Sequence, residues 1–216
     1  MNALPLRALM RFVLLLIPLV GSFAMATEQP TFTVLKKIDD IEVREYPQLL
    51  VAQTVVEGSR DAASTEGFRR LAGYIFGGNT ATQSIAMTAP VTQTEGQKIA
   101  MTAPVAQMET PDHRWVIQFT MPSSFKTLES LPKPNDARVT LQVVPTRAVA
   151  VLKYSGAWSE SLYEKQLAVL RAGVASAGLV VLSKPTWARY DPPWKLWFMR
   201  TNEIHLEVEP PAPDKK

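Results

Sequence analysis

The chain has 216 residues, 23 Lys+Arg against 20 Asp+Glu, and no cysteine. The missing thiols exclude disulfides, Cys-ligated zinc, iron–sulfur clusters, covalent c-type haem attachment and a lipid anchor on an N-terminal Cys. The formal net charge of +3 falls to +1 without Arg7 and Arg11 (21 against 20), and no basic cluster argues for nucleic acid.

Arg7 and Arg11 precede an apolar run at 12–20, and Ala24-Met25-Ala26 supplies a small-x-small cleavage site. The run is shorter than the roughly 20 residues of a membrane span. The pattern predicts a signal peptide over 1–26, cut after Ala26, and a mature chain in the periplasm or outside the cell with no stable membrane insertion.

Residues 41–46 alternate apolar and polar side chains, the period of a half-buried strand, and 49–56 is a second β-rich run. A helix is predicted over about 62–76, with Phe68, Leu71, Ala72 and Ile75 on one face and Gly77-Gly78-Asn79 as its stop. Next comes a direct repeat: Ile-Ala-Met-Thr-Ala-Pro-Val at 85–91 and again at 99–105. The plain reading is two short strands joined by a Glu95-Gly96 turn and limited by Pro90 and Pro104. A copper site on Met87 and Met101 is the weaker reading, because no His or Cys stands near them.

Further strands are predicted at 115–121, 139–144, 148–153 and 198–208, with a Pro-rich loop at 122–135. A second helix is predicted over about 159–177. Tyr163, Leu167, Leu170 and Val174 share its face, Ser161 and Glu164 fit a capping box, and Gly178 fits the stop. Pro47, Val51, Ala52 and Gly58 recur 98 residues later as Pro145, Val149, Ala150 and Gly156, each Gly followed by a helix. This reads as an internal duplication and an α+β fold of two strand–helix halves. Residues 209–216 are Pro-rich and polar, a disordered tail.

The pieces Val43-Arg44-Glu45-Tyr46, Gly67-Phe68 with Leu71 and Tyr74, and Gly77-Gly78-Asn79 resemble the SOUL haem-binding family. So do the paired Met-Thr-Ala-Pro-Val segments, Leu131-Pro132, Tyr190-Asp191-Pro192-Pro193 and Arg200-Thr201-Asn202-Glu203-Ile204. The resemblance implies a distorted antiparallel β-barrel with two flanking helices and pseudo-twofold symmetry, one haem-binding domain over 27–208. It further implies a monomer that holds haem or another porphyrin non-covalently and is not an enzyme.

It also implies where the ligand sits. The apolar wall matches Thr65, Phe68, Leu71 and Ala72 on the first helix. The cation for the propionates matches Lys195, beside Trp194 and Trp197, with Arg69 and Arg70 as alternatives. Glu45 stands where some family members carry an iron-ligating His. Strand parity places it with Ile41 and Val43, as a weak metal ligand or the partner of an Arg. His113, in a turn, and His205, alternating with Ile204 and Leu206, are read as surface residues. The favoured reading is a tetrapyrrole buffer or carrier without a strong axial ligand. Two alternatives stay open: a binder of another amphipathic ligand in a regulator-like cleft, and a hydrolase or isomerase using Glu45 or Glu203.

Overall fold

The computed structural model describes residues 27–80 and 96–212. The leader, the first copy of the short repeat with Met87, and the last four residues of the tail lie outside the described residues. In chain order the strands are β1 Thr33–Ile38, β2 Ile41–Tyr46, β3 Leu49–Val56, β4 Asn79–Thr80, β5 Val105–Glu109, β6 Trp115–Thr120, β7 Lys133–Pro134, β8 Val139–Val144, β9 Arg147–Ser155, β10 Thr186–Arg189 and β11 Thr201–Val208. The helices are α1 Arg60–Ile75 and α2 Glu160–Ser176.

Nine strands form one antiparallel sheet in the order β1-β2-β9-β11-β10-β5-β6-β3-β8, curled into a half-barrel with two helices. The order reads as a palindrome of equivalent strands about the β10–β5 pair. β2 answers to β8, β9 to β3, β11 to β6 and β10 to β5, with β1 added at one edge. The register keeps the 98-residue offset: Val43 pairs with Ala150, and Leu141 pairs with Ala52. Ile41 opposite Leu152 likewise answers to Val139 opposite Thr54. Each half therefore donates one strand to its partner's side, so neither half builds a sheet alone.

Each helix starts on a serine whose hydroxyl accepts an otherwise unpaired first-turn N–H: Ser59 from Ala62 and Ser159 from Leu162. The cap of α2 is thus Ser159, two residues before the expected Ser161. Gly58 and Gly156, just before these caps, both hold positive φ (105° and 139°), which explains the repeated glycine. In α2, Tyr163, Leu167, Leu170 and Val174 are all buried, as their spacing predicts. Gly67 seats α1 against β6: a Cβ there would stand 2.7 Å from the Ile117 Cβ, so only a hydrogen allows this approach.

The helix-side core gathers Ile41, Val43, Ala52, Leu71, Ile117, Phe119, Trp187, Ile204 and Leu206. The second copy of the repeat forms no strand before Val105, where β5 begins, and bends at Ala103. Its Ile99 is buried and its Met101 is exposed. The residues predicted as strand at 198–200 instead close a short 3-10 turn, Trp197–Met199, before β11. Among the described residues no helix is long and apolar enough to cross a membrane.

Candidate functional site

One cross-strand row runs across the helix side of the sheet, from β6 beneath α1 to β9 beneath α2. Phe119 pairs with Val105, Val105 with Arg189, Arg189 with Asn202, and Asn202 with Tyr154. Val105 and Arg189 lie on the two strands that flank the pseudo-twofold axis, two residues along from the Gln107–Trp187 pair that the axis relates, and both retain partial exposure. At one end Phe68 of α1 meets Phe119 edge to face, ring centroids 5.4 Å apart, and remains 39% exposed. At the other end Trp158, leading into α2, donates its indole N–H to Asn202 Oδ1 at 2.8 Å.

Arg189 ties this floor to both helices. Its Nε donates to the Tyr163 hydroxyl and its Nη1 to Ser64 Oγ, each at 2.9 Å. Its guanidinium lies 4.7 Å from the Trp158 ring centre. Burial pushes the Tyr163 hydroxyl pKa up, so it is a neutral phenol at ordinary pH.

Immediately after Arg189 the chain rises into an apolar crest. Trp194 is 83% exposed, and Leu196, Trp197, Phe198 and Met199 are each more than half exposed. Such a contiguous exposed group marks an interaction surface. Two side chains hold it through four hydrogen bonds. Asp191 accepts from Lys195 Nζ and from the Thr201 N–H, both at 2.6 Å. Arg200 donates to the Lys195 and Pro193 carbonyls. Burial disfavours the Asp191 charge, but the Lys195 bond and the Thr201 N–H outweigh it and hold the pKa below its ordinary value.

The residues expected from the sequence divide accordingly. Thr65 and Phe68 are exposed on α1, Thr65 bonding back to the Asp61 carbonyl. Leu71 and Ala72 lie beneath them in the core. Trp194 and Lys195 belong to the crest, with Lys195 paired to Asp191. Arg69 and Arg70 both bind Glu66. Glu45 keeps the strand parity of Ile41 and Val43 but is exposed, and among the described residues it has no ion-pair partner. The expected arginine partner is not made, because β2 ends one residue later, at Tyr46, and leaves this side chain in water. Sequence reading missed Val105, Arg189, Asn202 and Trp158. An arginine between Ala188 and Tyr190 was the available signal for Arg189.

The opposite sheet face holds a second polar group that parity alone placed in solvent. Glu203 is 4% exposed. One oxygen accepts from Arg44 Nη1 at 3.0 Å; the other lies 2.5 Å from the Tyr190 hydroxyl and 2.8 Å from His205 Nε2. Arg44 also donates to Glu42 and Tyr46, and its guanidinium lies 4.2 Å from the Phe32 ring centre. Burial works against the Glu203 charge, but His205, Tyr190 and Arg44 outweigh it and hold the carboxyl down at about 2. His205 is therefore no surface residue, whereas His113 is, with its side chain 85% exposed. Beside His205 a cleft of about 340 Å³ is lined by Met108, Val116, Arg147, Val149, Thr186 and Glu207.

With this geometry fixed, the comparisons decide the family. The SOUL heme-binding protein family model matches residues 27–207. The chain belongs to the SOUL family. It is 26% identical over 200 residues to Heme-binding protein 2 of Mus musculus, covering 87% of this chain and 93% of the relative. Its fold is shared with the crystal structure of the EcmrR C-terminal domain (TM-score 0.55, 12% identity, 78% of this chain and 96% of that one). The same holds for EcmrR in a DNA complex (TM-score 0.55, 14% identity, 78% and 57%). At these identities the two structures speak for the fold alone. Family membership supports haem or tetrapyrrole binding by the chain.

Proposed function

We propose that the chain is a monomeric, exported tetrapyrrole binder that takes haem or an iron-free porphyrin non-covalently into the opening between α1 and the entry to α2. The observation that carries this reading is the floor itself. Phe68, 39% exposed over the buried Phe119, leads through half-buried Val105 to the Arg189 cation, and the exposed aromatic crest with Lys195 follows Arg189 in the chain. A porphyrin has the matching chemistry: a flat apolar body and two carboxylates on one edge. His113 lies on the surface and His205 on the opposite sheet face, so affinity comes from the apolar walls and cations, not from a His–iron bond. The role that fits is periplasmic buffering or carriage, with Thr27 as the first residue of the mature chain. Catalysis by Glu203 is disfavoured, since both its oxygens are already engaged.

A haemin titration of the purified protein, followed at the Soret band with protoporphyrin IX in parallel, tests the reading. Saturable one-to-one binding is expected for both ligands. Phe68→Ser should weaken it about 10-fold, and Lys195→Ala should weaken it a few-fold, since Lys195 already shares Asp191. Non-saturable uptake that ignores Phe68→Ser would overturn it.

A further inference from the structure

Beneath the floor, where α1 and α2 begin, lies a cluster of buried polar atoms with no hydrogen-bond partner. Among the described residues these are Arg60 Nε and Nη1, Arg189 Nη2, Trp187 Nε1, the Tyr154 hydroxyl and Gln107 Oε1; the remaining such atom, Arg147 Nε, lies on the other sheet face. Trp187 is 4% exposed and Gln107 2%. They belong to one place. Trp187 and Gln107 are cross-strand partners, and Gln107 donates to the Arg60 carbonyl at 2.8 Å. The Arg60 guanidinium lies 4.2 Å from the Trp187 ring centre and 5.0 Å from that of Tyr163. Tyr163 also touches Trp187, Tyr154 and Arg189.

The nearest carboxylates do not complete the set. Glu160 stands 2.5 Å from Arg60 Nη1 without hydrogen-bond alignment, and Asp61 stands 3.8 Å from Arg189 Nη2. Glu160 thus pairs with Arg60 from the surface and Asp61 stands off Arg189; their side chains are 64% and 82% exposed, and neither satisfies Arg60 Nε, Trp187 Nε1 or the Tyr154 hydroxyl. What remains inside is an excess of donors. One trapped water could give its two hydrogens to Gln107 Oε1 and the Tyr154 oxygen but could accept from only about two of the open donors, which leaves donors over. Two guanidinium groups, an indole N–H and a phenol instead match a planar anion with two acceptor oxygens.

We propose that this cage binds a carboxylate. Its source is either a propionate of the bound tetrapyrrole, which rests on the reading above, or a small free carboxylate, which does not.

The test uses the purified protein in a chloride-free buffer. Sodium acetate is titrated by calorimetry and by its effect on Tm, and protoporphyrin IX is compared with its dimethyl ester. Acetate should bind saturably and raise Tm. Tyr154→Phe and Trp187→Phe, which keep a ring and delete one donor, should each weaken it about 3- to 10-fold, with unchanged circular dichroism showing that both variants fold. If the propionate is the source, the diacid should compete with acetate and bind at least 10-fold tighter than the diester. If acetate saturates while diacid and diester bind alike, the cage takes a free carboxylate. Acetate binding with no porphyrin binding would remove the tetrapyrrole reading and leave the cage. Porphyrin binding that is the same for diacid and diester, with no saturable effect of acetate, overturns the cage and leaves the tetrapyrrole reading. Acetate binding that ignores both substitutions also overturns it.

Discussion

Two buried arginine clusters lie on opposite faces of the same sheet, and they are built on opposite terms. The Arg44 cluster is closed: Glu203 faces the guanidinium, Tyr190 and His205 take up the second carboxylate oxygen, and Phe32 covers the outside. The Arg60–Arg189 cluster is open in part: Glu160 pairs with Arg60 from the surface and Tyr163 and Ser64 hold two nitrogens of Arg189, but among the described residues Arg60 Nε, Arg189 Nη2, Trp187 Nε1 and the Tyr154 hydroxyl have no hydrogen-bond partner. Burying a charge is tolerable only when a partner compensates it. Where the partner is a side chain of the chain itself, the cluster is architecture, stapling β2 to β11 and β10 through side chains. Where donors are left over, the cluster can take an acceptor brought from outside.

The contrast is broken or sharpened first by making the same substitution in each cluster. Arg44→Met leaves Glu203 buried without its cation and should cost about 3–5 kcal/mol, lowering Tm by roughly 10 °C. Arg60→Met removes a cation whose carboxylate partner, Glu160, stays in water without it, and keeps an apolar stem against Trp187. In carboxylate-free buffer it should change stability by less than about 1 kcal/mol in either direction. Differential scanning calorimetry of the two variants reads the difference directly. Equal losses would mean that the two clusters are compensated alike and that the distinction between them is wrong.

Acid is the second probe. Folding lowers the Glu203 pKa from 4.5 to about 2, so its contribution is fully present above about pH 4.5 and is lost as pH falls toward 2. That contribution is on the order of 3 kcal/mol. Tm should fall across this window in the wild type. Glu203→Gln, already less stable at neutral pH, should show a shallower fall, because its amide has no proton to gain there. Parallel acid limbs would assign the pH dependence to other carboxylates.

How much of this could be read beforehand follows from strand length and position. β2, β3 and β8 were legible to the residue because alternation or a β-rich run marks them, and the 98-residue offset revealed the pseudo-twofold before the register did. β1, β5 and β10 were not legible. β1 is an exposed edge strand, β5 has five residues directly after a proline, and β10 has four. The loss fell in the worst place, since β5 and β10 flank the symmetry axis and carry Val105, Gln107, Trp187 and Arg189. Lys195 and Phe68 came from family resemblance; the arginines came only from the fold. Parity also misled for Glu203 and His205. It names a face correctly, but a curled sheet can bury both faces, and only the packing of Phe32, Tyr46 and Tyr190 shows that this one is covered.

The smallest expected effect separates parity from environment a second time. Glu45 shares its strand face with Val43, and in sequence it stands where an iron-ligating His occurs in related chains. It is nevertheless exposed and, among the described residues, without an ion-pair partner, one residue before β2 ends. A carboxylate there pays no desolvation cost and has no fixed geometry from which to hold a metal. Glu45→Ala should therefore shift Tm by less than about 2 °C and leave both the position of the haemin Soret band and the titration midpoint unchanged. A shifted band would mean that the carboxylate reaches the iron. The ligand would then have to sit at the open end of β2, away from the floor between the helices, and the cations at the axis would lose their claim on its propionates.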